Sequence, residues 1–238
     1  MGVLSGCVEE AENQTPEAKF SYESDNMFIG TEFSFMDEST DEDGNISSWS
    51  WDFNGDDIED SAEQNPMYTF SEVGTFTVSL TVEDDDGATD EYNMAIEITL
   101  MDIVATAIDA GFDTLVTALT AADLVGTLQG EGPFTVFAPT DEAFAELNQT
   151  WLTDLLEDVD NLTKVLTYHV VSGKVMSSDL ENGTVTTLEG SNITIAVDGT
   201  NITVNSVLVT TADIECSNGV IHIIGEVLLP ESVEGPTA

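Results

Sequence analysis

The sequence predicts two consecutive domains, an all-β sandwich followed by an α+β domain. Two observations lead to this prediction. In the first part of the chain, short segments of alternating apolar and polar residues are separated by turns rich in Asp, Asn and Gly, which is typical of antiparallel strands. After residue 101 the apolar spacing becomes that of helices and later returns to that of strands. This order favours an α+β architecture over a parallel sheet.

The predicted strands of the first domain surround an acidic turn. Apolar and hydroxyl-bearing residues alternate over residues 75–82, so one face of this segment is expected to point into a core. Asp84-Asp85-Asp86-Gly87 then turns the chain. A second alternating strand follows over residues 92–100, and an earlier strand contains Phe33 and Phe35.

The second domain is predicted to begin with helices and to end with strands. Asp102 is suited to cap the first helix and Gly111 to end it. Further helices are predicted at residues 115–119 and 162–169, and strands at residues 184–188, 193–197, 202–204 and 220–229. Asp198-Gly199 is a strong hairpin signal between two of these strands. The last strand is the longest apolar stretch, yet it is shorter than the roughly 18 residues of a membrane span.

The excess of acidic over basic residues restricts the classes of partner that the protein can bind. The chain has 47 Asp and Glu residues against 3 Lys and Arg, a formal net charge of −44. Such a surface repels phosphate backbones and anionic membranes, so the sequence predicts no nucleic-acid binding. Salt relieves the self-repulsion, because the Debye length shortens from about 8 Å at physiological ionic strength to about 3 Å at 1 M. We therefore expect a halophilic or marine microbial source; the alternative is an acidic surface kept for solubility.

The N-terminal segment predicts a position at the cell surface. Leu4-Ser5-Gly6-Cys7 has the form of a lipobox, in which small residues precede a cysteine that becomes lipidated. Residues 1–17 are accordingly assigned to a lipobox and an acidic tether, and membrane contact is expected only through a lipid anchor at Cys7. The alternative is a terminus that merely contains a cysteine. Cys216, the other cysteine, is predicted to be a small buried apolar residue.

Three segments in order resemble the fasciclin (FAS1) family. They are Thr135-Val136-Phe137-Ala138-Pro139-Thr140-Asp141-Glu142-Ala143-Phe144, then Tyr168-His169, and then the segment from Asn218 to Pro230. Residues 101–231 are assigned to this domain, and residues 232–238 to a C-terminal tail. The resemblance implies an α+β module of cell-adhesion and matrix proteins, which binds partners and is not generally catalytic.

Residues 18–100 resemble the PKD family, an immunoglobulin-like module of surface proteins and secreted hydrolases. The resemblance rests on Trp51-Asp52-Phe53-Asn54-Gly55-Asp56, on Asn65 to Phe70 and on Val73 to Val78. It implies an immunoglobulin-like sandwich that acts as a spacer or as a contact surface for proteins or polysaccharides.

The fasciclin resemblance also implies contact residues. The family associates the Tyr168-His169 pair with adhesion, but the helical spacing of His169 favours a buried, hydrogen-bonded histidine, which we expect. Asp213 and Ile214 lie where some animal fasciclin domains carry an integrin-contact motif centred on Asp-Ile. The flanking residues differ, so integrin binding is not implied. We expect Asp213 to lie in an exposed turn before the final strands.

A calcium site is predicted in the loop that follows Trp51. Asp52, Asn54 and Asp56 stand at positions 1, 3 and 5 of a calcium-loop pattern, and Glu63 stands at position 12. Position 6 is Asp57 where the pattern has glycine, and no flanking helix is predicted. The alternative is that Asp52 orders a turn among solvated carboxylates. The acidic turns at residues 41–45 and 84–86 are second candidates for calcium.

Catalysis finds little support in the sequence. There are 2 histidines, His169 and His222, and no metalloprotease, nucleophile-elbow or phosphate-loop signature. We therefore expect a protein that is not an enzyme.

Glycosylation is predicted at Asn-x-Ser/Thr sequons, which would suit a surface exposed to the outside. They lie at Asn13, Asn45, Asn148, Asn161, Asn182, Asn192 and Asn201. The alternative is chance occurrence in a chain rich in threonine.

These observations together predict an extracellular adhesion or matrix-interaction protein. Its partners are expected to be surface or matrix proteins or polysaccharides, bound by a fasciclin-like domain on a PKD-like spacer. One alternative is a structural envelope component held by divalent cations. Another is an accessory binding subunit of a secreted hydrolase.

Overall fold

The computed structural model describes residues 12–235, so the predicted lipidation site Cys7 lies outside the described residues. The chain divides into two compact units between Thr99 and Leu100. Each unit has a hydrophobic core of its own.

The first unit is a sandwich of two antiparallel sheets. Its strands are β1 (Phe20–Glu23), β2 (Glu32–Asp37), β3 (Ile46–Asp52), β4 (Met67–Thr69), β5 (Gly74–Asp84) and β6 (Thr89–Ile98). One sheet has the order β1-β2-β4 and the other the order β3-β5-β6. The predicted all-β sandwich is confirmed.

Aromatic side chains fill the space between these sheets. The buried ring of Trp51 lies edge-on to Phe20, with 5.0 Å between ring centroids. Its indole N–H donates to the carbonyl of Glu63 at 2.9 Å, so burial leaves no indole hydrogen bond unsatisfied. Because buried aromatic side chains contribute large apolar area and specific ring contacts, this cluster fixes how the two sheets pack.

Residues 13–17, which the sequence assigned to the tether, already contact the sandwich. Glu17 forms a backbone bridge to Thr40, and the Asn13 amide donates to Asp84 at 3.0 Å. The first unit therefore begins before the predicted residue 18.

The second unit combines six α-helices with a seven-stranded sheet among its described residues. The helices are α1 (Ile103–Asp109), α2 (Asp113–Ala121), α3 (Val125–Leu128), α4 (Asp141–Ala145), α5 (Gln149–Glu157) and α6 (Val159–Tyr168), and a 3-10 helix spans Ser177–Asp179. The strands are β7 (Phe134–Pro139), β8 (Val170–Ser172), β9 (Gly183–Thr186), β10 (Asn192–Asp198), β11 (Asn201–Val204), β12 (Val207–Cys216) and β13 (Gly219–Ile224). Their order in the sheet is β8-β7-β13-β12-β11-β10-β9. The predicted combination of helices and strands is confirmed.

One strand pair of this sheet is parallel, although the sheet as a whole is not a parallel sheet, in line with the predicted α+β class. β13 runs parallel to β7, with Ile221 opposite Val136, while the other neighbouring strands are antiparallel. Strand β7 lies between the helices in the chain, and the long connection from β7 to β13 allows a parallel return. Apolar periodicity identifies strands but not their partners, so the pairing could not be foreseen.

Local signals placed several ends of helices and strands correctly. The Asp102 carboxylate caps α1 by accepting the backbone N–H of Ala105 at 2.8 Å. Gly111 follows this helix with a φ of 75°, a left-handed conformation that favours glycine. Asp198 and Asn201 close the predicted hairpin between β10 and β11.

The segment assigned to a C-terminal tail is part of the second unit as far as residue 235. Val233 is buried in the helical core, and the Trp151 indole donates to the Glu234 carbonyl at 2.9 Å. A single valine was too weak a signal to predict this contact from sequence.

Candidate functional site

His169 lies in the core of the second unit, at the end of α6. It is 2% exposed. Its Nδ1 is 2.7 Å from the Val165 carbonyl, and its Nε2 accepts the backbone N–H of Leu228 at 2.9 Å. Nδ1 therefore carries the proton and donates a hydrogen bond to the Val165 carbonyl. Burial lowers the pKa of His169 from 6.5 to about 4, because the charged ring would lose its hydration.

Tyr168 is also buried, in a core cluster that it forms with residues of the sheet strands. Its hydroxyl donates to the Asn192 carbonyl at 3.1 Å and accepts the amide of Asn205 at 2.9 Å. Both members of the Tyr168-His169 pair thus use their polar atoms to connect α6 with other parts of the unit. Direct contact between this pair and a partner would require the core to open.

Asp213 does not lie in an exposed turn, as the sequence suggested, but inside strand β12. It stands at an irregularity of the pairing between β12 and β13, with a φ of 64°. Such a bulge inserts a residue without ending the strand. Because Asp is among the residues that tolerate this left-handed conformation, the bulge resembles a turn in the sequence.

The half-buried carboxylate of Asp213 holds the 3-10 helix. It accepts the backbone N–H of Ser177 at 2.7 Å and also the Ser177 hydroxyl. Burial alone would raise the pKa of Asp213, but the hydrogen bonds from Ser177 and the nearby His222 keep this pKa below its usual value. Asp213 therefore stays ionised and ties residue 177 to strand β12.

His222 completes this network from the buried side. Its Nδ1 accepts the backbone N–H of Asp213 at 3.2 Å, and its Nε2 is 2.9 Å from the Val175 carbonyl. His222 is fully buried and supports the bulge. The alternating pattern placed His222 in a strand, but nothing in the sequence linked it to Asp213.

The residues around this network form a partly exposed surface that we call the β12 ridge, made of residues 174–179 and 213–215. Ile214 is half-buried and packs on the helical core. Lys174 pairs with Glu215 at 2.6 Å, both partly exposed. Ser178 and Asp179 are exposed on the 3-10 helix. These four polar side chains present the most accessible groups. The side chain of Asp213 is 34% exposed and that of Ile214 is half-buried, whereas Tyr168 and His169 are buried.

In the first unit, the oxygens of the predicted calcium loop are bonded to the loop itself. The buried Asp52 accepts the backbone N–H groups of Asn54, Gly55 and Asp57 at 2.7–3.0 Å. Asn54 and Asp56 each accept the backbone N–H two residues later, at 2.9 Å. Burial alone would raise the pKa of Asp52, but the backbone N–H groups lower it. Asp52 therefore orders the loop.

Glu63 contributes its main-chain carbonyl to the Trp51 indole, and its side chain is exposed. Within residues 12–235, no group of three or more His, Cys, Asp or Glu side chains has an arrangement that could hold a metal ion.

The two other acidic turns meet in space. The backbone N–H of Asn45 donates to Asp85 Oδ1, and the Asp85 N–H donates to the Asn45 carbonyl, both at 3.0 Å. Asp84 is 1% exposed. Burial alone would raise its pKa, but hydrogen bonds from Asn13 and from the turn lower it. The contact joins segments about 40 residues apart, which local patterns cannot reveal.

Among the acidic residues of these two turns, Asp41 has the least complete set of hydrogen bonds. Its Oδ2 atom is buried and has no hydrogen-bond partner among the described residues. Burial, and after it the negative charges of Asp43 and Asp84, raise the pKa of Asp41, although a backbone N–H at Asp43 opposes the shift. A side chain at Gly44 would place its Cβ 2.6 Å from this oxygen, so a larger residue there would displace the carboxylates of Asp41 and Asp85.

The asparagine side chains of the sequons differ in their exposure and in the hydrogen bonds that they form. The side chains of Asn13, Asn45, Asn148, Asn182, Asn192 and Asn201 are exposed, and that of Asn161 is half-buried. Asn182 uses both of its amide atoms on the Val197 backbone, and the Asn161 amide donates to Asp158 at 2.8 Å. Attachment of a glycan at Asn161 or Asn182 would replace these contacts.

Cys216 is buried, as predicted, and its thiol donates to the Thr106 hydroxyl at 3.3 Å. Burial raises the pKa of this thiol, so it stays protonated. A search of residues 12–235 for helices finds none with the length and apolar character that a membrane crossing needs.

Comparison with known proteins shows the families to which the two parts of the chain are similar. The fasciclin domain family matches residues 110–230, and the PKD domain family matches residues 13–100. The chain belongs to the fasciclin family, with a PKD domain preceding the fasciclin domain.

Individual relatives cover the fasciclin part. The chain is 50% identical over 121 residues to protein sll1483 of Synechocystis sp., covering 50% of this chain and 67% of that protein. It is 39% identical over 119 residues to human periostin, covering 49% of this chain but 14% of periostin. For the first unit, the PKD1 domain of Vibrio anguillarum Epp is 37% identical, with a TM-score of 0.32, and the match covers 37% of this chain and 96% of that domain.

Proposed function

We propose that this protein acts outside the cell, at the cell surface, in adhesion or contact with a matrix. The fasciclin domain binds surface or matrix proteins or polysaccharides through the β12 ridge, and the PKD domain acts as a spacer. In this proposal the protein is not an enzyme, and its acidic, glycosylated surface suits a saline medium. A lipid anchor at Cys7 holds it to the membrane.

One observation supports the ridge as the contact surface. The bond from Ser177 to Asp213 and the ion pair of Lys174 with Glu215 join the same two segments, so the backbone that carries the exposed groups of the ridge is held in place. Preorganised surfaces lose less conformational entropy on binding. By contrast, Tyr168 and His169 are buried and serve the fold that carries the ridge.

A structural envelope component held by divalent cations is the second candidate. The buried Oδ2 of Asp41, which has no hydrogen-bond partner within residues 12–235, favours it, because calcium prefers carboxylate and carbonyl oxygens. Calcium at the Asp52 loop, or at these turns, remains a proposal. Binding of the full chain to host envelopes, with variants of the ridge, tests adhesion. Thermal stability with and without calcium tests the second candidate.

A further inference from the structure

Strand β9 (Gly183–Thr186) lies at one edge of the seven-stranded sheet and pairs with β10 on its inner side. Just beyond the strand, the backbone N–H of Thr187 donates to the Ser191 carbonyl at 3.0 Å, so residue 187 points its backbone groups towards β10. Because successive residues of a strand point their N–H and C=O groups to opposite sides, the backbone groups of Thr184 and Thr186 point away from the sheet.

These outward backbone groups of β9 are unpaired. Within residues 12–235, no hydrogen bond reaches the backbone N–H or C=O groups of Thr184 and Thr186. At the opposite edge of the sheet, by contrast, the N–H of Leu188 donates to the Val170 carbonyl of β8 at 2.7 Å. A row of unpaired backbone groups is a template for a further strand. β9 is therefore the edge at which this sheet can be extended.

β9 lacks the features that commonly protect edge strands from pairing. Charged side chains and proline are such features, and the edge strand β6 of the first unit contains Asp90, Glu91 and Glu97. β9 consists of Gly-Thr-Val-Thr. The neighbouring strands are also poor in charge, since residues 190–212 contain a single acidic residue, Asp198, in a chain with 47. A second strongly acidic protein would therefore meet little repulsion at this edge.

The geometry of β9 fits a second copy of this chain. When two β9 strands pair antiparallel about a two-fold axis at Val185, Thr184 of one copy lies opposite Thr186 of the other, and each such pair exchanges both backbone hydrogen bonds. The two half-buried Val185 side chains then lie opposite each other, and cross-strand pairs of this kind stabilise a sheet. Because the β8 edge is already bonded to Leu188, the assembly closes as a dimer.

We propose that β9 is a dimerisation strand, through which two copies of this chain join their sheets edge to edge. The strand is short, and stable interfaces bury about 1,000 Å² or more, so the dimer is weak, with a Kd of up to about 1 mM. Glu181 and Glu189 flank the strand and repel their counterparts, so salt strengthens the dimer. β9 shares no residue with the β12 ridge, so either proposal can fail while the other holds.

Sedimentation equilibrium of the soluble Cys7→Ser protein in about 1 M NaCl, at concentrations up to about 1 mM, tests this dimer. A monomer–dimer equilibrium is expected, and Thr186→Pro should weaken it by at least about 10-fold, because proline has no N–H to donate to the second copy. The fold should tolerate proline there, since this N–H points away from the sheet. Thr186→Ala is the matched control, because it keeps the N–H, and it should dimerise as the wild type.

A charge exchange tests the register of the pairing. Thr184→Glu/Thr186→Glu and Thr184→Lys/Thr186→Lys each place like charges opposite one another in a dimer of identical chains, whereas a mixture places opposite charges there. In about 0.5 M NaCl, where such contacts are only partly screened, the mixed dimer should form at least about 10-fold more tightly than either variant alone. This comparison holds even where the proline variant does not fold.

Several results would overturn the dimer. A wild-type protein that stays monomeric throughout refutes it and leaves the edge to a different strand-forming partner. A Thr186→Pro variant that is folded by its melting temperature and dimerises as the wild type refutes it as well. So does a Thr186→Ala variant that loses as much affinity as the proline variant, and so does a mixture of the charged variants that associates no better than each alone.

Discussion

The ring of His169 accepts the backbone N–H of Leu228 at 2.9 Å, which connects α6 to the segment after β13. These residues are separated by 59 positions in the chain. Leu228 is itself buried against the strands. The pair therefore joins the helical side of the fasciclin domain to its C-terminal segment, and its removal should affect the whole domain.

Replacing His169 with alanine should destabilise the protein by about 1–3 kcal/mol, because a buried hydrogen bond is lost and a cavity remains. Urea unfolding followed by circular dichroism measures the change. Asp160→Asn, an exposed position on the same helix, is the control and should change stability by less than about 0.5 kcal/mol. A His169→Ala variant as stable as this control would contradict the structural role of the ring.

The same histidine should make stability depend on pH. Its pKa is about 4 in the folded protein against 6.5 as the ordinary value, so the unfolded chain binds the proton more readily. The contribution of the neutral His169 ring to stability is fully present above pH 6.5 and is lost as the pH falls through 4. This loss lowers the free energy of unfolding by up to about 3 kcal/mol. Many carboxylates titrate in the same range. The measured quantity is therefore the difference in unfolding free energy between wild type and His169→Gln, which should shrink as the pH falls. A constant difference would contradict the assignment.

Asp213 and Ser177 should be energetically coupled. Asp213→Ala removes the bonds to Ser177 and places alanine in a left-handed conformation, which together should cost about 1–3 kcal/mol. A double-mutant cycle with Ser177→Ala should give a coupling energy of at least about 0.5 kcal/mol. Asp213→Gly separates the two effects, since glycine removes the carboxylate but tolerates the left-handed backbone conformation. Strict additivity of the two single changes would show that the bond from the Ser177 hydroxyl to Asp213 contributes nothing.

Salt should raise the melting temperature, because screening relieves the repulsion of a formal net charge of −44. Millimolar calcium should add a further increment at matched ionic strength if a specific site exists. Asp56→Asn should remove that increment if the loop after Trp51 binds the ion, and Asp41→Asn should remove it if the paired acidic turns do. A calcium effect equal to that of sodium at the same ionic strength would exclude both sites.

Much of this fold follows from local signals in the sequence. Period-two alternation identified β5 and β6, and Asp102 and Gly111 marked the ends of α1. The errors arose where distant segments meet. The bulge at Asp213 looked like a turn, because Asp suits a left-handed conformation in either setting. The burial of Asp84 could not be foreseen either, because its partner Asn13 lies 71 positions away. The spacing of His169 predicted its burial, but no pattern could name Leu228 as its partner.

Binding of the soluble Cys7→Ser protein to host envelopes and matrix polysaccharides, in 1 M NaCl, tests the adhesion proposal most directly. We compare wild type with Ser178→Arg and Asp179→Lys on the β12 ridge, and with Asp160→Lys at an exposed site outside it. The account predicts saturable binding that both ridge variants weaken by about 10-fold or more, with melting temperatures unchanged and with Asp160→Lys binding as wild type. Ridge variants that bind as tightly as wild type, or a wild-type protein that does not bind, would contradict it.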